Sequence, residues 1–153
     1  SVTVAKGFRA TGVKAGLKTS GNHDLALVVN DGPLQVAAAV FTTNRCQANP
    51  ILWSKEVIKD GTVQAIVLNS GGANCYTGPQ GFQTTHATAE QVANGLGLNA
   101  GDVLVCSTGL IGEQLPLETI LAGVETLSTV LSENGGQDAA DAIMTTDSVF
   151  KQA

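Results

Sequence analysis

"VQAIVLNSGGANCYTGPQGFQTTHATAEQVANGLGLNAGDVLVCSTG", residues 63–109, holds two apolar runs on either side of a helical pattern. Val63–Leu68 and Val103–Cys106 have the length and β-branched content of buried strands. Between them, residues 82–99 place Ala89, Val92, Ala93 and Leu96 at three- and four-residue steps. That spacing predicts a helix, with Gly97 suited to the left-handed position past its end. Two strands joined by a helix favour parallel pairing. Each strand runs into a loop rich in glycine and hydroxyl side chains, residues 69–81 and 106–116. Parallel pairing brings both loops to one end of the sheet, where open α/β sheets bind ligands.

The flanking stretches extend this unit. "DLALVVNDGPLQVAAAVFT" (24–42) reads as a hairpin turning at Asn30, Asp31, Gly32 and Pro33. "NPILWSKEVIKDG" (49–61) reads as a short helix, with Asn49 and Pro50 at its start and Gly61 past its end. Apolar residues at helical spacing from Leu115 to Leu131 predict an amphipathic helix. After a Gly-rich break at 132–137, Asp138 is expected to cap a last short helix running into "AIMTTD" (142–147). The whole predicts one α/β domain over residues 1–153, a layered sandwich of a mixed sheet covered by helices.

Bulk composition narrows the function. The 153 residues carry a net charge of −5, and Lys and Arg are scattered, so no basic stripe offers itself to nucleic acid. No apolar stretch approaches the ~20 residues of a membrane span. The first residues do not read as a signal peptide, and the cytoplasm is the expected compartment. Charged residues make up only 14%, against about 25% in an average soluble domain. A surface so poor in charge is expected to be covered by an obligate partner. Cys46, Cys75 and Cys106 form no CxxC pair and lie far in sequence from His23 and His86. No metal or cofactor is expected, and the thiols read as free.

Three chemistries compete for the two loops. "NSGGANCYTG" (69–78) lacks both the Gly-Lys-Ser/Thr ending of a P-loop and G-x-G-x-x-G, leaving a glycine turn or a substrate-lining loop. Cys106 or Ser107 would serve as a nucleophile with His86 as base, although the turn is no G-x-S-x-G elbow. His23, beside Asp24, reads as ordinary surface. The third reading concerns Thr108 and Gly109. A strand ending in Thr-Gly can aim a hydroxyl and a backbone N–H at one point, the donor pair of an oxyanion hole. Spacing alone leaves these open.

Four stretches together carry a resemblance: "GFRATGVKAGLK" (7–18), "NSGGANCYTG" (69–78), "CSTGLIGEQLP" (106–116) and "AIMTTD" (142–147). In this order they resemble the first half of the bacterial glutamate N-acetyltransferases, also called ornithine acetyltransferases, of arginine biosynthesis. Gly72 departs from the family's more usual asparagine at that place. The resemblance implies a precursor that cuts itself before a threonine, and this chain as part of the resulting α chain. The β chain then supplies the N-terminal threonine nucleophile. It implies an α/β sandwich shared with self-cleaving aminopeptidases, and transfer of acetyl from N2-acetylornithine to glutamate through an acyl-enzyme. It assigns the oxyanion hole to Thr108 and Gly109 and a substrate contact to Thr145, with Thr146 next in register. The expected assembly is a heterotetramer, α2β2. Whether acetyl-CoA also donates, the sequence does not distinguish. "SVFKQA" (148–153) does not match the family's Lys-Gly-x-Gly-Met segment, so the family's substrate lysine has no counterpart to name here. The rival readings are an aminopeptidase or amidase of the same fold, and a binding module without catalysis.

Overall fold

The computed structural model describes residues 1–152. Four strands form one sheet in the order β1 (Phe8–Val13), β2 (Leu25–Asn30), β3 (Ala65–Asn69), β4 (Val103–Ser107). β1 and β2 pair antiparallel, as do β2 and β3, while β3 and β4 run parallel with Ala65 opposite Val103 and Asn69 opposite Ser107. The mixed sheet and the parallel pair are as the sequence predicts. The crossover between them is α2 (Gly78–Leu96), which ends where Gly97 takes φ 69°. It starts four residues before the expected Phe82, because Pro79 in its first turn needs no hydrogen bond from its nitrogen.

Alternate residues of each strand build the main core. Leu25, Leu27 and Val29 of β2, Val67 of β3 and Val103 and Val105 of β4 meet two helices. These are α2, through Ala89 and Val92, and α3 (Leu117–Val130), through Ile120, Val124 and Leu127. α1 (Asn49–Val57) closes the outer edge of β4. Ser54 Oγ donates to Val105 O at 2.9 Å and accepts from Val105 N at 3.1 Å, and Trp53 Nε1 donates to Val103 O at 2.9 Å. The backbone groups that β4 turns away from β3 are thus satisfied by a helix, which blocks the edge to further strands.

The opposite face carries α4 (Gly136–Ala142), which packs Ala139 and Ala142 on Ala10 and Ala26. Contact is backbone-close. A Cβ on Gly12 would sit 2.0 Å from the Asp138 carbonyl oxygen, and one on Gly135 1.9 Å from the Ala10 carbonyl oxygen.

Two expectations need correction. The hairpin over 24–42 does not form: β2 pairs with β1 and β3, and residues 34–42 make only the isolated bridge Val36 to Thr62. The antiparallel neighbour is instead "FRATGV", whose polar residues and Gly12 hide its strand character and whose small side chains admit α4. Asp138 does not cap α4. Gly135 holds that position, Asp138 lies in the first turn, where its charge suits the helix dipole, and the helix stops at Ala142. Thr145 therefore lies three residues past a helix end rather than on it.

Candidate active site

Parallel neighbours end side by side, and here their loops join backbone to backbone. Thr108 N donates to Asn69 O at 3.0 Å, Ala73 N to Leu110 O at 2.9 Å, and Gly112 N to Cys75 O at 2.8 Å. Glycine makes the approach possible. Gly109 has φ +137°, and a Cβ there would fall 2.9 Å from Gly72 Cα and N. A Cβ on Gly72 would meet Leu115 Cδ2 at 2.9 Å. That is the tip of a flexible side chain, so a Cβ at this position needs only a small shift of Leu115. The rest of the 69–78 loop is a structural turn. Asn74, buried at φ 50°, donates to Gly81 O and Thr85 Oγ1 and accepts from Thr77 Oγ1. Its amide has no capacity left for a phosphate.

The zipper leaves particular donors unspent. The Thr108 N–H is engaged by Asn69, whereas the exposed Thr108 hydroxyl and the Gly109 N–H have no acceptor among the described residues. Both line an open groove of about 640 Å³ that also receives Thr145 and Thr146, with Lys18, Ser70 and Glu113 on its walls. The three expected site residues, from two distant motifs, therefore share one groove. The nucleophile reading fares differently. Ser107 Oγ accepts from Asn69 Nδ2 at 2.6 Å. Cys106 is exposed, yet the protein around its sulfur desolvates the thiolate and pushes the thiol pKa up, the wrong direction for a nucleophile. His86 stacks on Trp53 at 4.9 Å and faces Glu90 Oε1 at 3.4 Å, with neither Cys106 nor Ser107 among its partners.

Asp24, Lys18 and Ser70 escaped sequence reasoning. The fully buried Asp24 carboxylate accepts backbone N–H groups of Ala15, Gly16, Leu17 and Lys18 at 2.6–3.0 Å, which shapes the loop walling the groove. Lys18 Nζ donates to His23 O at 3.1 Å and to Met144 O. Burial lowers the Lys18 pKa, while the Asp24 charge opposes that shift. Ser70 Oγ donates to Ala142 O at 2.5 Å. His23 is half-buried rather than ordinary surface, with Nδ1 enclosed and without a partner. Among the described residues no three His, Cys, Asp or Glu side chains gather as a metal site, and no helix is long and apolar enough to cross a membrane.

The family model described as the ArgJ family matches residues 9–153. The chain belongs to the ArgJ family. Among its relatives is the arginine biosynthesis bifunctional protein ArgJ of Streptomyces coelicolor, 62% identical over 151 residues, or 99% of this chain and 39% of that protein. The ArgJ of Thermobifida fusca is 54% identical over all of this chain and 40% of its own length. The chain thus spans about two-fifths of the curated relatives it matches. Among solved structures, the ornithine acetyltransferase of Mycobacterium tuberculosis in complex with ornithine superposes with TM-score 0.96 at 53% identity. The match covers 97% of this chain and 80% of that one. An ArgJ from Bacillus halodurans gives 0.89 at 37% identity, over 97% of this chain and 78% of that one. Membership of this family and its fold are what the resemblance carried by the four motifs implies.

Proposed function

We propose that this chain carries the oxyanion hole and part of the substrate site of a glutamate N-acetyltransferase of arginine biosynthesis. One observation carries the reading: the free Thr108 hydroxyl and Gly109 N–H stand side by side on the groove that also holds Thr145. In the proposed reaction, the N-terminal threonine of a β chain cut from the same precursor attacks the acetamide carbon of N2-acetylornithine. The carbonyl electron pair moves onto oxygen, where the hydroxyl and the N–H stabilise it. Collapse breaks the C–N bond, ornithine leaves with a proton on its nitrogen, and the threonine ester remains. The amino group of glutamate then attacks the ester through the same oxyanion. N-acetylglutamate departs and the threonine hydroxyl is restored.

The β chain and an α2β2 assembly in the cytoplasm belong to the same proposal. In support, Leu34, Val36 and Val40 are 76%, 83% and 99% exposed, a run of apolar surface unusual for a chain without a partner. The relatives' names, and the ornithine bound to the Mycobacterium tuberculosis protein, support the substrate class.

The test is to incubate the full-length, matured enzyme with N2-acetylornithine and labelled glutamate. Labelled acetylglutamate with release of ornithine is the expected result. Free acetate without acetylglutamate would make the protein an amidase of the same fold. Mass spectrometry of the native protein should find a companion chain beginning with threonine. Acetyl-CoA in place of acetylornithine tests for a second donor, which the relatives' description as bifunctional favours.

A further inference from the structure

We propose that Lys18 is a positioning residue for the substrate contact at Thr145: its ammonium latches the turn that carries Thr145 to the opposite wall of the groove. The inference rests on the acetyl-transfer reading above for Thr145's role.

Thr145 follows the end of α4 and belongs to no regular element. Just beyond it, Lys151 Nζ donates to the Asp147 carboxylate, a bond within the same stretch of chain. Among the described residues, two side-chain bonds fix it to the rest of the molecule. Ser70 Oγ holds Ala142 O, at the end of the helix, and Lys18 Nζ holds Met144 O, the carbonyl immediately before Thr145. Met144 N also donates back to Asp141 O at 3.3 Å, within the helix end itself, so among the described residues it is the Lys18 bond that ties the residue before Thr145 to a distant element, 126 positions away.

The base of this latch is rigid. The Lys18 N–H donates to Asp24 Oδ2 at 3.0 Å, one of four bonds into a carboxylate with no solvent exposure. The tip is matched to its task. Two of three ammonium donors meet carbonyls, of His23 and Met144, and charge-assisted bonds of this kind outlast neutral ones. The partial burial of the lysine strengthens them further. A hydroxyl that binds substrate must hold its place to a fraction of an ångström, and supporting contacts of this sort set that tolerance. Among the described residues Lys18 is also the one cationic side chain on the groove wall, and both of its bonds go to protein carbonyls.

The test uses the full-length, matured enzyme. Lys18→Met keeps the stem and removes the ammonium. It should raise KM for N2-acetylornithine about tenfold while kcat stays within about threefold, as for a lost binding contact. Lys18→Arg, which still donates to carbonyls, should recover most of the affinity. Thr145→Val should raise KM alone, and adding Lys18→Met to it should raise KM no further, since the two act through one contact. An unchanged KM in Lys18→Met, or two KM increases that multiply, overturns the latch. A second measurement is independent of acetyl transfer. Amide hydrogen exchange over residues 143–147 should be about tenfold faster in Lys18→Met, with the core strands unaltered. If Lys18→Met does not mature, Lys18→Gln is carried through the same assays. Unchanged exchange overturns the latch whatever the activity. Absence of acetyl transfer in the unsubstituted enzyme would instead strike the functional reading, leaving exchange to decide the latch.

Discussion

Thr108→Ala and Ser107→Ala should separate catalysis from stability in adjacent residues. The Thr108 hydroxyl is exposed on the groove and makes no hydrogen bond among the described residues, so its removal should change folding free energy by less than ~0.5 kcal/mol. In the proposed mechanism it is one of two oxyanion donors, worth ~2.7–4 kcal/mol in the transition state, so kcat should fall by about 10²–10³. KM should hardly move, because the bond strengthens only as the oxyanion forms. Ser107 is the mirror case. Its hydroxyl receives Asn69 Nδ2 at 2.6 Å, and Asn69 Oδ1 is already buried without a partner. Ser107→Ala would leave that amide enclosed and unpaired at both ends, a cost of ~1–3 kcal/mol of stability, with kcat within a few-fold. The assay is steady-state kinetics on matured enzyme, with the cut fraction checked first, beside denaturant unfolding of each variant. In the proposed scheme precursor cleavage also passes through a tetrahedral oxyanion, so Thr108→Ala is expected to slow maturation as well, which the cut fraction reads separately. The reasoning is refuted if Thr108→Ala keeps its kcat, or if Ser107→Ala abolishes turnover in a folded enzyme.

Three further outcomes follow from the geometry. Gly109→Ala combines a left-handed φ of +137° with a Cβ 2.9 Å from the Gly72 backbone. It should displace the N–H, lower kcat at least as far as Thr108→Ala, and cost ~1–3 kcal/mol in unfolding measurements. Asp24→Asn turns one acceptor oxygen into a donor facing backbone N–H groups inside a fully buried site. Denaturant unfolding should show a loss of at least ~1–3 kcal/mol, with the 15–18 amides losing exchange protection first. The hydrogen bond from Arg9 lowers the Asp31 pKa below the ordinary carboxylate value. A lowered native pKa stabilises the fold above the unfolded value, and that contribution fades as pH falls through the native one, hence below about pH 4. The pair is largely exposed, so Asp31→Asn should cost less than ~1 kcal/mol at neutral pH and flatten the acid limb of a stability profile.

The parallel pair was legible because its two strands are short apolar runs bracketing a helical pattern, and local periodicity suffices to see that. β1 was not, because "FRATGV" owes its strand to what packs on it. Gly12 and Ala10 are small where α4 lies against the backbone, a demand set more than 120 residues later in the chain. The error at 34–42 has the opposite cause. Leu34, Val36 and Val40 are apolar enough to read as core, yet they face outward, and their composition answers to something other than this domain's interior. Of the proposed site, Thr108, Gly109 and Thr145 came from motifs. Lys18, Ser70 and Asn69 reach partners 126, 72 and 38 positions away, and Asp24 gathers backbone N–H groups of the preceding loop, so no spacing of side chains along the sequence carries them.

What the sequence offers about the site's construction is the placing of its glycines rather than their number. Gly71 and Gly72 follow β3, and Gly109 follows β4, each within three residues of a strand end. Parallel neighbours finish side by side, so small residues just past both ends can bring two loops into backbone contact. Once Thr108 N, Ala73 N and Gly112 N are consumed in joining those loops, the Thr108 hydroxyl and the Gly109 N–H are left without an acceptor among the described residues. Gly109 must turn through a left-handed φ to follow its partner loop, and the same turn leaves its N–H without an internal acceptor. The free donor is thus a by-product of the loop closure, and it appears beside a hydroxyl that the closure also leaves unused. The oxyanion hole proposed here would depend on backbone geometry shared by two strands, which is why one methyl group at position 109 should damage it as much as loss of the Thr108 hydroxyl.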